Sequence, residues 1–80
     1  MLSELKTNRK VVGLKQVRRA LKEGTANRIF LADNADPQLT DPVRAQCAQR
    51  GVPVEDGFSM KELGQACGIT VDAAVAALLN

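Results

Sequence analysis

Several residue types that catalytic sites commonly use are missing from this 80-residue sequence. It contains no histidine, tyrosine or tryptophan, and it has neither a Gly-x-x-x-x-Gly-Lys-Ser/Thr phosphate loop nor a nucleophile elbow. Two carboxylates, Asp33 and Asp36, share one loop, but aspartates in turns usually accept hydrogen bonds from the backbone. The sequence therefore predicts a protein that is not an enzyme, with no catalytic residues and no cofactor.

Cysteine is scarce as well, with only Cys47 and Cys67 present. Two cysteines are too few for a disulfide scaffold. Without histidine they also fall short of the four nitrogen or sulfur ligands of a structural zinc site. We therefore expect no metal site, and we interpret both cysteines as small buried hydrophobic residues.

Long hydrophobic runs are absent too. No apolar stretch approaches the roughly 20 residues of a membrane-spanning helix, and the N-terminus lacks the basic start and apolar core of a secretory signal. The composition, with 45% hydrophobic and 25% charged residues, is typical of globular proteins. We expect a cytoplasmic, monomeric protein without membrane contact, in which residues 1–80 form a single domain because this length supports one core.

The charge of the chain is unevenly distributed. Residues 1–30 contain eight Lys and Arg against two Glu, a net charge of +6, whereas residues 31–80 contain three against seven acidic residues, a net charge of −4. A basic third beside an acidic remainder indicates one surface that faces a polyanion and another that is solvated. Basic residues that simply solvate exposed helices are the alternative explanation.

Turn-forming residues divide the chain into alternating helices and strands. Ser3 is expected to cap a short first helix, Asp41 to cap a helix that begins at Pro42 and ends before Gly51, and Ser59 to open a capping box. The predicted segments are strands at 10–12, 28–32 and 52–55 and helices at 14–23, 42–50 and 60–67.

The final segment, residues 69–80, allows two interpretations. Thr70 can cap an alanine-rich helix, which local propensity favours. Alternatively, residues 75–79 can form a strand buried on both faces, which an alternating chain in need of another sheet partner favours. Either choice gives an α/β three-layer sandwich with three or four strands.

The helix after Gly13 is the most informative segment. Lys15, Arg19 and Lys22 stand at positions i, i+4 and i+7, so they line one stripe opposite the apolar face. Like charges at this spacing repel each other and weaken the helix slightly, so the stripe is easier to understand if an anion lies along it. Gly13 permits close backbone approach, and free N–H groups at the helix start favour a phosphate. Lys15 and Gln16 can reach base edges. A solvated surface helix is the alternative.

Four segments of the chain match a known pattern. They are Gly13 to Leu21, Ile29 to Ala32, Asp36-Pro37 and the Leu63-Gly64-Gln65-Ala66-Cys67-Gly68 block. With these, residues 9–79 resemble the kink-turn-binding ribosomal protein family, the L7Ae and L30e group. The pair Lys15-Gln16 is similar to one branch of small bacterial members, whereas many other members have Asn-Glu. Because Glu accepts from guanine amino groups and Lys only donates, the hydrogen-bond pattern with RNA should differ between branches.

The resemblance implies a three-layer α/β/α sandwich with a mixed four-stranded sheet, in which residues 75–79 form a strand. It also implies recognition of a kink-turn, a sharply bent RNA internal loop with tandem sheared G·A pairs and a flipped-out nucleotide. The function it implies is that of a non-catalytic RNA-binding protein. Association of this protein with the ribosome is left open. The alternative function is a protein-interaction or ribosome-packing subunit on the same fold.

The resemblance further implies roles for individual residues. The helix tip would contact guanines through Lys15 and Gln16, and Arg19 would contact phosphates. Asp36 would lie beside the extruded nucleotide, and a loop would cover that nucleotide. The covering loop is Gly57-Phe58-Ser59-Met60. Phosphate contacts are expected from the basic residues Lys15, Arg18, Arg19 and Lys22. RNA binding should therefore weaken with added salt.

Some of these positions also have purely structural interpretations. Phe58 is compatible with a core residue at the base of a loop, and Asp36 with a turn residue before proline. Gly64, Ala66 and Gly68 are assigned to tight packing rather than to RNA contact.

Overall fold

The last strand of the chain occupies an inner position of the sheet. The computed structural model describes residues 2–7 and 9–80, where four strands form one sheet in the order β1-β4-β2-β3. Strand β4 is antiparallel to both of its neighbours, and β3 is parallel to β2. The elements are a 3-10 helix Leu2–Leu5, β1 Lys10–Val12, α1 Leu14–Glu23, β2 Ala26–Leu31, α2 Pro37–Arg50, β3 Val54–Glu55, α3 Met60–Ala66 and β4 Val75–Leu79.

Residues 75–79 therefore form a strand, as the family resemblance implied and against the helix propensity of their alanines. Ala76 and Ala77 are fully buried, and their small side chains let helices pack on both sides of the sheet. Backbone hydrogen bonds reach both ends of β1: Leu79 N donates to Arg9 O at 2.8 Å and Gly13 N donates to Val75 O at 3.1 Å. Tertiary pairing thus outweighs local propensity here.

Helices cover both faces of the sheet, which confirms the three-layer sandwich. On one face, α1 and α2 pack through Val17, Leu21 and Val43 against Ile29 and Val75 of the sheet. On the other face, α3 and the 3-10 helix form a second core that includes Leu5, Phe30, Leu63, Cys67 and Ala76. The predicted cap by the Ser3 side chain lies outside the described part of the structure.

Helix α2 begins five residues before its predicted start. The sequence contains two Asp-Pro pairs, Asp36-Pro37 and Asp41-Pro42, and the first is the true N-terminus because Asp36 Oδ1 accepts the N–H of Gln38 at 2.9 Å. Pro42 consequently lies inside the helix. The structure extends β2 back to Ala26 and shortens β3. At 14 residues α2 is the longest described helix, and no described helix is long and apolar enough to cross a membrane.

Two glycines around the end of α3 have different roles. Gly64 is buried, and a Cβ built there would overlap the Val71 carbonyl oxygen and lie 3.2 Å from the Cα of Asp72. Its tight packing is therefore confirmed. Gly68 has φ of 75° with no atom within 4 Å of a built Cβ. The tight-packing prediction is wrong for Gly68, where the left-handed backbone is what favours glycine.

The two cysteines are expected to resist alkylation in the folded protein. Cys47 is 1% and Cys67 5% exposed, as predicted, and they belong to cores on opposite faces of the sheet. Burial raises the pKa of both thiols, so little reactive thiolate is present near neutral pH. Iodoacetamide labelling followed by intact mass spectrometry should be slow in buffer and rapid in guanidinium. Rapid labelling of the folded protein would contradict this burial.

Candidate nucleic-acid interface at one end of the sheet

Strand polarity gathers four chain segments at one end of the sheet. Ala76 pairs with Val12 on one side and with Phe30 on the other, and Phe30 pairs with Glu55. Strands β1, β2 and β3 end just beyond this row, and β4 begins there. The start of α1 and three loops therefore emerge together. We call this end the rim, and it comprises residues 13–16, 32–37, 56–60 and 69–74.

Helix α1 begins at the rim on a glycine that the backbone requires. Gly13 has φ of 105° and ψ of 152°, a region that is essentially restricted to glycine. Its N–H is bound to Val75 O, and its C=O accepts the N–H of Val17 at 3.0 Å. Among residues 2–7 and 9–80 no side chain caps this helix, and no acidic residue lies in its first turn. The first N–H groups can therefore donate hydrogen bonds to an external anion.

The basic stripe lies on the exposed side of α1, as predicted. At about 100° per residue, Lys15, Arg19 and Lys22 fall within about 60° of one another, opposite the buried Val17 and Leu21. Lys15 and Lys22 are exposed and form no ion pair within residues 2–7 and 9–80. Their charges are available to an external anion.

Two arginines of α1 are already engaged inside the protein. Arg19 Nε donates to Glu23 Oε2 at 3.3 Å, in an exposed ion pair. Arg18 turns away from the stripe towards α2, where its Nε donates to Gln46 Oε1 at 3.3 Å and its backbone O accepts from Gln46 Nε2 at 3.4 Å. Arg18 thus ties the two helices together through Nε, and the terminal N–H groups of its guanidinium remain for the predicted phosphate contact.

Two loops of the rim are bound to each other by polar contacts. Asp33 N donates to Phe58 O at 2.8 Å, and Asp33 Oδ1 accepts from Gly57 N at 3.0 Å. Asn34 Oδ1 accepts from Met60 N at 2.9 Å. Asp33 and Asn34 therefore position the loop that was predicted to cover a nucleotide. This role was not predicted from the sequence, although an Asp-Asn pair that closely follows a strand is a signal for such contacts.

The predicted residues on the loop side of the rim also perform structural tasks. Asp36 caps α2, and Ser59 forms a capping box with Glu62 at the start of α3. Phe58 is half-buried, with its ring centroid 6.3 Å from that of Phe30, and Met60 packs beside the same core. The capping carboxylate of Asp36 remains exposed, so part of it can still face a ligand.

Val71 is a rim residue that the sequence reasoning did not single out. It lies in the loop between α3 and β4, and 66% of it is exposed. Its loop is anchored to the other rim loops, since Ala73 N donates to Met60 O at 3.0 Å and Ala32 N donates to Ala74 O at 2.9 Å. The sequence offered one signal, an apolar residue flanked by the polar Thr70 and Asp72.

Charge divides the rim into two halves. The α1 half is basic, whereas the loops expose the acidic residues Asp33, Asp36, Asp56 and Asp72. Of these, Asp56 is paired with Arg44 at 3.0 Å. Phosphates are therefore expected at α1, and the loop half suits a less charged group such as a nucleobase.

Comparison with known protein families gives one match over nearly the whole chain. A model described as "Ribosomal protein L7Ae/L30e/S12e/Gadd45 family" matches residues 2–80. An RNA-binding protein of Geobacillus sp. (strain WCH70) is 45% identical over 76 residues, which cover 95% of this chain and 93% of that protein. The RNA-binding protein YbxF of Geobacillus stearothermophilus is 44% identical with the same coverage.

Solved structures show the same fold. The Giardia lamblia 15.5kD RNA binding protein superposes with a TM-score of 0.89 at 24% sequence identity, covering 99% of this chain and 68% of that one. At this identity the comparison establishes the architecture: a mixed four-stranded sheet between helices.

Proposed function

Because this chain belongs to the ribosomal protein L7Ae/L30e/S12e/Gadd45 family, we propose that it is a non-catalytic RNA-binding protein and that residues 1–80 act as one RNA-binding domain. Relatives that share more than two fifths of its residues are named RNA-binding proteins. The observation that carries the proposal is the rim, where one helix start and three loops converge. Because one chain supplies the whole rim, a monomer is sufficient.

The proposed target is a kink-turn or a kink-turn-like element with tandem sheared G·A pairs. Its sharp bend and splayed bases offer features that a regular duplex does not, and proteins recognise folded RNA mainly through such features. The uncapped start of α1 would enter the groove at the G·A pairs. Lys15 would donate to guanine acceptors and Gln16 would both donate and accept. Arg19 and Lys22 would bind the flanking phosphates.

The loop half of the rim would receive the extruded nucleotide. Phe58, Met60 and Val71 supply apolar surface from loops that hydrogen bonds connect, and Asp36 supplies an exposed acceptor for a base amino group. The hydrogen bonds from Asp33 and Asn34 hold this surface in place before RNA arrives. Pre-organisation of this kind lowers the entropic cost of binding.

Titration of a fluorescently labelled kink-turn RNA tests the proposal directly. The control is the same RNA with its G·A pairs changed to Watson–Crick pairs. We expect at least ten-fold tighter binding to the kink-turn, corresponding to about 1.4 kcal/mol, and affinity that falls with added salt because several phosphates are neutralised. Equal affinity for the two RNAs would overturn kink-turn recognition.

Equal affinity would instead favour a second candidate function, a protein-interaction or ribosome-packing subunit. One observation supports that alternative: Arg18 and Arg19 both have partners within the protein, so neither needs an RNA phosphate as a partner. Association with ribosomes is compatible with both candidate functions.

A further inference from the structure

We propose that Glu23 competes with RNA phosphate for Arg19 and thereby sets the affinity of the basic stripe for RNA. The inference rests on the proposed function, since it concerns the helix that would bind the RNA. Glu23 is the acidic residue of a helix that otherwise carries five basic or amide residues on its exposed sides, Lys15, Gln16, Arg18, Arg19 and Lys22.

The geometry places the carboxylate where a phosphate would otherwise lie. Arg19 Nε and Glu23 Oε2 are 3.3 Å apart, and the side chains are 72% and 53% exposed. Glu23, Arg19 and Gln16 also line one groove of about 140 Å³ between α1 and the β1 edge of the sheet. The carboxylate therefore occupies the same surface as a predicted base contact and a predicted phosphate contact.

Helix stability does not account for this glutamate. Glu23 is the last residue of α1, where the helix dipole disfavours a negative charge. The order Arg19 then Glu23 is also the weaker orientation for an i, i+4 ion pair. Being highly exposed, the pair is screened by solvent and contributes little to folding. The principal effect of Glu23 is therefore on the charge that Arg19 presents to the solvent.

A phosphate on the Nε side of the Arg19 guanidinium would displace Glu23, and one on the terminal N–H groups would still lie close to the Glu23 carboxylate. Two costs follow, the broken ion pair and the repulsion between like charges. The removal of the negative charge by Glu23→Gln removes both costs while keeping an amide oxygen for the Arg19 N–H. We expect Glu23→Gln to tighten binding of the kink-turn RNA roughly two- to five-fold, the range for exposed charge pairs.

Salt dependence gives a second readout. In Glu23→Gln, Arg19 brings an uncompensated positive charge, so binding releases about one more counterion. The plot of log affinity against log salt should become steeper by roughly 0.7 to 0.9. Asp41→Asn is the matched control, since it removes one exposed carboxylate from α2, and it should change neither affinity nor slope by a comparable amount.

A double-mutant cycle with Arg19→Gln tests whether Glu23 acts through Arg19. In the Arg19→Gln background, Glu23→Gln should change the affinity less than 1.5-fold. Unchanged affinity of the single variant Glu23→Gln would overturn the proposal. Equal tightening with and without Arg19 would overturn it too, because that result indicates general repulsion. All four proteins are measured with both RNAs, so a failure of kink-turn preference in the wild type is seen separately from a failure of the Glu23 effect.

Discussion

Replacement of Gly64 by alanine is expected to lower the free energy of unfolding by about 3 kcal/mol, the upper range for overpacking a core. The added methyl group would overlap the Val71 carbonyl oxygen and press on the Cα of Asp72. Both are backbone atoms, so no side chain can rotate away. The loop between α3 and β4 must move, and the contacts that anchor it to the other rim loops would be strained.

Thermal unfolding followed by circular dichroism would measure this loss. For a domain of this size, about 3 kcal/mol corresponds to a decrease in Tm of roughly 12–24 °C. Gly68→Ala provides the matched control, because a built Cβ there has open space and only the left-handed backbone opposes alanine, at a cost of about 1–2 kcal/mol. Equal losses for the two variants would show that close approach at Gly64 is unimportant.

Replacement of Gln16 by alanine is expected to weaken kink-turn binding by about 1–3 kcal/mol, the value of one good contact to a base edge. Gln16 is exposed on the first turn of α1, so truncation should leave the fold intact. On the affinity scale this is roughly a five- to 150-fold increase in Kd. The variant should lose preference for the kink-turn over the Watson–Crick control.

Gln49→Ala is the control for this experiment, because Gln49 is equally exposed but lies on α2. Its affinity and melting temperature should match those of the wild type. If Gln16→Ala retains full affinity and preference, then the start of α1 does not contact bases, and RNA binding would depend on phosphate contacts alone.

The sequence predicted the ends of those helices that are capped by residues next to them in the chain. Helix α1 ends with the cap residue Gly24, and α3 begins after Ser59 of the capping box. Both ends were predictable because the hydrogen bonds that form them join residues close together in the chain. The start of α2 could not be chosen locally, since Asp36-Pro37 and Asp41-Pro42 are equivalent caps in sequence. The longer helix prevails because it buries Thr40 together with Val43 and Cys47.

For the candidate site, the positions of the residues and the contacts of their side chains differ in how far they could be predicted. Strand order and direction place the predicted positions of α1 and the loops at one rim. The family resemblance implied a mixed four-stranded sheet that includes residues 75–79, but not the order of its strands. The partners of their side chains were not predictable. Arg18 meets Gln46, 28 residues away in sequence, and Asn34 meets Met60, 26 residues away. Such contacts depend on how helices and loops pack, which periodicity and composition do not specify.

The inner position of β4 has a consequence for folding. Strands β1 and β2 do not neighbour each other in the sheet, and β4 joins them. Until residues 75–79 pair with it, β1 has no partner in the sheet, and the start of α1, which follows β1, lacks the hydrogen bond from Gly13 N to Val75 O. Closing the sheet then requires contacts between distant residues, such as Lys10 with Leu78, and such contacts form slowly. The rim is therefore complete only after β4 has paired with both of its neighbours in the sheet.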